Sequence, residues 1–187
     1  SSTLAGGVFQ ASGYSGETLG DLLLGESDAS IMSIVQNSRI PTSGIGNLDY
    51  APTVKSKMNM TGKILESEPD GQFRLVELIE QIPPGVYEYV VVDTPPSLKV
   101  MTVNSLVAAT HVVIPLAMKS YSIDSLDDVL VTIDKIKKRL NRRLKVLGIQ
   151  PSMCMFNQAA QLEWYEQIQK EYPKLVLPPI ANRADVE

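Results

Sequence analysis

Asp93 is the side chain on which chemistry can first be argued. It follows Val90, Val91 and Val92 directly and precedes Thr94-Pro95-Pro96-Ser97. An unbroken β-branched run predicts a central parallel strand buried on both faces. The two prolines then forbid regular structure. A carboxylate at the carboxyl end of such a strand sits where open α/β sheets bind ligands. Two readings stay open from spacing alone: Asp93 caps the next helix, or it serves a Mg²⁺-bound nucleotide.

A second cluster is basic. Lys135, Lys137, Lys138, Arg139, Arg142, Arg143 and Lys145 place seven of 17 basic residues within eleven positions, with no acid between them. A solvated helix end that complements its own dipole needs only one or two such charges. Phosphate contacts to non-specific DNA are the other reading of the run. The net charge of −4 provides no global basic field. The paired Gly6-Gly7 tempts a phosphate-loop reading, but no Gly-x-x-x-x-Gly-Lys-Ser/Thr occurs anywhere in the chain, and Gly62-Lys63 is followed by Ile64. Cys154, the only cysteine, lies among apolar residues and reads as buried and inert. His111, the only histidine, has no neighbouring Cys or His to share a metal.

Regular elements must position these residues. Thr18 caps a short helix, Leu19 to Leu24, stopped by Gly25; a second helix covers Ile31 to Val35. Leu48 to Pro52 reads as a short strand, Val54 to Ser67 is ambiguous, and Pro69-Asp70-Gly71 is a turn. Phe73, Val76, Leu78 and Ile79 mark an amphipathic helix ended by Pro83-Pro84-Gly85. A helix over Val100 to Ala109 and a buried strand, Val112-Val113-Ile114, broken by Pro115, follow. Ser122 or Asp124 caps the longest helix, whose stripe runs Leu126, Val129, Leu130, Ile133, Ile136 and Leu140. Leu144 to Ile149 is a strand, Gln161 to Tyr172 a helix with Leu162, Tyr165 and Ile168 inward, and Val176-Leu177 a last short strand. This alternation argues for an α/β fold, a mostly parallel sheet with helices on both faces. A length of 187 residues suits one domain, hydrophobic content of 44% is ordinary for a soluble globular chain, and no apolar run reaches the ~18 residues of a membrane span.

Val90-Val91-Val92-Asp93-Thr94-Pro95-Pro96-Ser97, then Thr102-Val103-Asn104-Ser105-Leu106-Val107-Ala108-Ala109 and Val113-Ile114-Pro115-Leu116, resemble the ParA family of partition ATPases, relatives of MinD with a deviant Walker A loop. Asn47-Leu48-Asp49-Tyr50-Ala51-Pro52, Leu147-Gly148-Ile149 and Leu177-Pro178-Pro179 through Asp185 resemble further family segments in family order. The resemblance implies a three-layer fold of the P-loop nucleotide-hydrolase type. Its N-terminal strands are missing, because neither the Lys-Gly-Gly-x-Gly-Lys-Thr loop nor an Asp-x-Asp-Pro-Gln-Gly segment is present. The chain thus resembles the middle of a longer protein, a single ParA-like domain over residues 1–187 truncated at both ends. It is expected to have no ATPase activity by itself.

In the parent protein the resemblance implies ATP and Mg²⁺, with Asp93 at the metal and Thr94, Pro95 and Pro96 as a loop sensing the γ-phosphate. Asn157, Pro178, Pro179 and Arg183 would lie by the adenine. Lys135, Lys138, Arg139, Arg142 and Arg143 would meet DNA. A cytoplasmic ATP-dependent homodimer acting with a ParB-like partner follows. Lys119 departs from the acid common in relatives. A non-catalytic scaffold of the same fold and a MinD-like positioning ATPase are the alternatives. The phosphate-loop strand of this fold pairs beside the Asp93 strand. Its loss predicts an exposed Val-Val-Val edge and a chain stable only when another segment fills that place.

Overall fold

The computed structural model describes residues 16–37, 48–95, 98–117, 123–155 and 157–182. Several expectations lie outside the described residues: the glycine-rich opening through Gly13, the loop of Pro41, Gly44 and Gly46, Asn47, Pro96 and Ser97, Lys119, the Ser122 or Asp124 side-chain cap, and Arg183 to Asp185. The chain divides into two compact units, Ser1–Ala108 and Ala109–Glu187.

In the first unit, α1 (Leu19–Leu24) begins and ends where its sequence signals stand. Asp21 Oδ2 accepts from both the N–H and the hydroxyl of Thr18 at 2.8 Å, and Gly25 closes the helix in the left-handed conformation, φ 68°. Ser30 caps α2 (Ile31–Ile34), accepting from Met32 N at 3.3 Å. Two-residue strands β1 (Gln36–Asn37) and β2 (Asp49–Tyr50) form an antiparallel ribbon. The ambiguous stretch folds as α3 (Lys55–Leu65). Its Thr61 and Leu65, four residues apart, are buried on one face, and the Thr61 hydroxyl donates to the Gly20 carbonyl at 3.3 Å. A 3₁₀ turn, Gly71–Phe73, leads into α4 (Arg74–Ile79), and α5 (Val100–Ala108) follows. Leu22, Leu23, Ile31, Ile34, Leu65, Leu75 and Leu78 make the core of this unit. Each such side chain contributes about 1.5–3 kcal/mol by leaving water.

The buried central strand expected at Val90 to Val92 is not formed. The segment has no regular structure and pairs with no described residue, and Val90, Val91 and Val92 are 52%, 90% and 37% exposed. A strand needs a neighbour on at least one edge to satisfy its backbone, and a β-branched run supplies only the propensity, not the partner.

In the second unit, β3 (His111–Ala117) and β4 (Lys145–Ser152) pair in parallel, joined through α6 (Ile123–Arg139). The register sets Ile114 beside Ile149 and Leu116 beside Pro151, all buried, with one irregularity between Val112 and Val113. Val113, Pro115 and Leu147 are exposed, so β3 is covered on one face rather than both. Pro115 does not break the strand: β3 has a neighbour on one side only among the described residues, and a proline is tolerated at such an edge. Leu126, Ile133 and Ile136 of α6 are buried as the stripe predicts, while Leu140 lies just past the helix and is exposed. In α7 (Ala159–Glu171) Ile168 is fully buried, but Leu162 is exposed and Gln161 is buried in its stead. Val176 bridges to Ile149 in parallel, as the last short strand predicts. Gly148 permits this approach: a Cβ there would stand 2.6 Å from the Leu175 carbonyl oxygen.

Candidate functional site

The first group of site residues ends the Tyr87–Pro95 segment of the first unit. Tyr87 anchors its start, the phenol donating to Asp49 Oδ2 at 2.8 Å while Asn37 Nδ2 donates to Oδ1 at 2.8 Å. Burial, then the hydrogen bond and charge of Asp49, push the Tyr87 phenol up. At the far end, Asp93, Thr94 and Pro95 are exposed. The Pro95 carbonyl accepts from the Thr102 hydroxyl of α5 at 3.4 Å.

Helix α5 is in turn fixed by Asn104, which is 1% exposed. Its Oδ1 accepts from Leu75 N at 3.0 Å, and its Nδ2 donates to the Gly71 and Val100 carbonyls at 2.7 and 3.0 Å. Asn104 therefore ties the helix after Asp93 to the turn before α4. Sequence reading placed Asn104 in a motif and gave it no task; an amide in an otherwise apolar helix face was the available signal.

The second group lies past the carboxyl end of β4. Met153 takes a positive φ of 57° and turns the chain out of the strand. Cys154 then pairs with the segment after α7: Cys154 N donates to Ile180 O at 3.0 Å and Asn182 N to Cys154 O at 3.0 Å. Burial pushes the Cys154 thiol up, in keeping with an inert side chain. Gln150 Nε2 donates to the Pro178 carbonyl at 2.7 Å. Asn157 and Pro178, exposed, and Pro179, half-buried, are thus carried on two adjoining segments at one end of the sheet; Arg183 lies outside the described residues.

The basic run occupies the end of α6, the turn after it and the start of β4, and all seven side chains are exposed. Asn141 builds the turn, its Nδ2 donating to Ala109 O at 2.6 Å and its Oδ1 accepting from Arg143 N at 3.2 Å. Lys138 is ion-paired with Asp134 at 2.6 Å, which removes one cation from the free set. His111 is exposed, with the Thr110 hydroxyl 3.0 Å from its Nδ1.

A Mg²⁺-nucleotide fits these residues in part. Mg²⁺ takes one or two carboxylates and completes its shell with phosphate and water. The exposed Asp93 suits that role, and among the described residues no group of three His, Cys, Asp or Glu converges on a protein-only cage. The polyphosphate has no cradle in the sequence, which contains no phosphate-loop motif.

A family model described as AAA domain matches residues 7–146. The chromosome partitioning protein ParA of Myxococcus xanthus (strain DK1622) is 32% identical over 140 residues, 73% of this chain and 48% of that protein. Among solved structures, cobyrinic acid a,c-diamide synthase from Mycobacterium smegmatis with bound ADP and magnesium superposes with a TM-score of 0.75 at 22% identity, covering 89% of this chain and 64% of that one. A plasmid partition protein from Borrelia burgdorferi gives a TM-score of 0.68 at 22% identity, covering 90% and 65%. The fold is therefore the α/β fold of P-loop nucleotide hydrolases. With these matches, the chain belongs to the AAA-domain family and, within it, to the ParA/MinD type of P-loop ATPase. The chain spans about half the length of the curated relatives it matches. Among the described residues, no helix is long and apolar enough to cross a membrane.

Proposed function

We propose that this chain is the metal-side and base-side part of a ParA-like partition ATPase, an ATP-dependent dimer acting with a ParB-like partner on DNA. The observation that carries this reading is the pairing of Cys154, just past the carboxyl end of a parallel strand, with the Ile180–Asn182 segment. That is where ligands bind in open α/β sheets. In this reading Asp93 holds Mg²⁺ through water, and Thr94 to Pro96 answer to the γ-phosphate. Asn157 reads the base beside Pro178, Pro179 and Arg183. Its primary amide offers the donor and acceptor that an adenine edge requires. Mg²⁺-ATP would supply the phosphoryl group transferred to water. The residues present would position the metal and the base, and the phosphate cradle would come from elsewhere in the whole protein.

The test is hydrolysis by the product of the complete reading frame that contains these residues. The expected result is Mg²⁺-dependent ATP hydrolysis, reduced at least about 100-fold in Asp93→Ala, with a raised KM and little change in kcat in Asn157→Ala. Hydrolysis at parental rate in Asp93→Ala would remove Asp93 from the site. A complete frame with no Lys-Gly-Gly-x-Gly-Lys-Thr loop and no nucleotide binding would favour the second reading, a non-catalytic scaffold.

A further inference from the structure

Helix α7 starts in an unusual way. Gln158 is its N-cap and makes no side-chain cap bond. Gln161 stands at the third helical position, where a Gln side chain ordinarily reaches back to the N–H of the N-cap residue. Here that N–H is already taken, since Gln158 N donates to Met155 O at 3.0 Å. Gln161 instead reaches one turn further back: its Oε1 accepts from Met155 N at 2.8 Å, and its Nε2 donates to Gln158 Oε1 at 3.1 Å. Gln161 itself is 7% exposed, and both bonds are part-buried. Gln161 thereby holds Met155 and Gln158, and the exposed Asn157 lies between these two in the chain.

We propose that Gln161 is the positioning residue of the base site, holding Met155 and Gln158 so that Asn157 meets an adenine edge in one orientation. The proposal rests on the reading of Asn157 given above. A loop residue reads a ligand well only when its support is locked by groups on a regular element, and Gln161 supplies that support from the first turn of α7. The essential function is acceptance from Met155 N, because a half-buried N–H left without its partner loosens the backbone there. Glutamate keeps that acceptor and leucine removes it. Gln161→Glu is therefore the conservative variant and Gln161→Leu the disruptive one.

The experiment is an NMR titration of the full chain with adenosine and, separately, guanosine, accompanied by amide exchange in the free protein. Gln161→Leu should speed exchange at Met155 N at least tenfold, weaken adenosine binding about tenfold and narrow the preference over guanosine. Gln161→Glu should restore binding to within about twofold. Gln161→Leu combined with Asn157→Ala should bind no worse than Asn157→Ala alone, because both act through one contact. Additive losses in the double variant, or equal losses in the Leu and Glu variants, would overturn the positioning role while leaving the base site standing. A parent chain whose resonances do not respond to adenosine would overturn the base site and the positioning role together.

Discussion

Asn104 satisfies three backbone groups with one amide in a nearly waterless place. Asn104→Leu removes the amide but leaves Leu75 N–H and the Gly71 carbonyl without it. At about 1–3 kcal/mol per orphaned group, denaturant melts should show a loss of roughly 2–6 kcal/mol. Gly71 cannot relax to compensate, as even a Cβ there would lie 2.1 Å from the Leu65 carbonyl oxygen. Asp21 lends itself to a pH test. Its burial opposes ionisation, but the Lys57 ammonium at 2.9 Å and the Thr18 hydroxyl and N–H outweigh it and hold the carboxyl below its usual value. A lowered folded pKa stabilises above the unfolded value of about 3.9, and the contribution is lost as pH falls through the lowered value. The acid limb of the stability curve should therefore be shallower in Asp21→Asn than in the parent. Identical acid limbs in chemical melts would show that Asp21 is not held in this way.

Elements differ in how much of themselves the sequence contains. Helix α1 carries its own start and stop, Thr18 with Asp21 and then Gly25, so its bounds were legible. The Val90–Val92 segment carries only propensity. Its burial depends on which chain runs beside it, and that lies in no local pattern. With Val91 90% exposed, Val91→Lys should change stability by no more than about 0.5 kcal/mol and reduce self-association, read by melts and light scattering. A loss of several kcal/mol would mean that the segment is covered in solution. The approach of Leu175–Leu177 to β4 makes the opposite prediction. Gly148→Ala must push the Leu175 carbonyl and the Leu177 side chain away, costing about 1–3 kcal/mol and releasing the Leu177 N–H, bonded to Ile149 O at 2.9 Å, to faster exchange.

At the scale of the molecule, seven exposed cations over the end of α6, the following turn and the start of β4 stand against a net charge of −4. Non-specific DNA binding through this patch requires that affinity fall linearly with log salt, by about 0.9 per phosphate contacted. Replacing Lys138, Arg139, Arg142 and Arg143 by Ala should flatten that slope, with the smallest share from Lys138, which Asp134 already holds. An unchanged slope in a fluorescence-anisotropy titration would separate the patch from DNA.

The sequence by itself determined what is local or chemically explicit. The helix caps, the amphipathic stripe of α6, the proline-marked exits and the family motifs are written within a few residues of where they act. They suffice to identify an α/β nucleotide-hydrolase fold and to single out Asp93. Tertiary structure decided everything that depends on a partner distant in the chain. It left Val90 to Val92 exposed and carried β3 through Pro115 because, among the described residues, β3 is paired on one edge only. It set Asn104 between two carbonyls and an N–H, and brought Cys154 beside Ile180 so that the segments carrying Asn157 and Pro178 adjoin. The physical reason is that burial and backbone pairing are properties of two segments at once, whereas a cap or a period belongs to one.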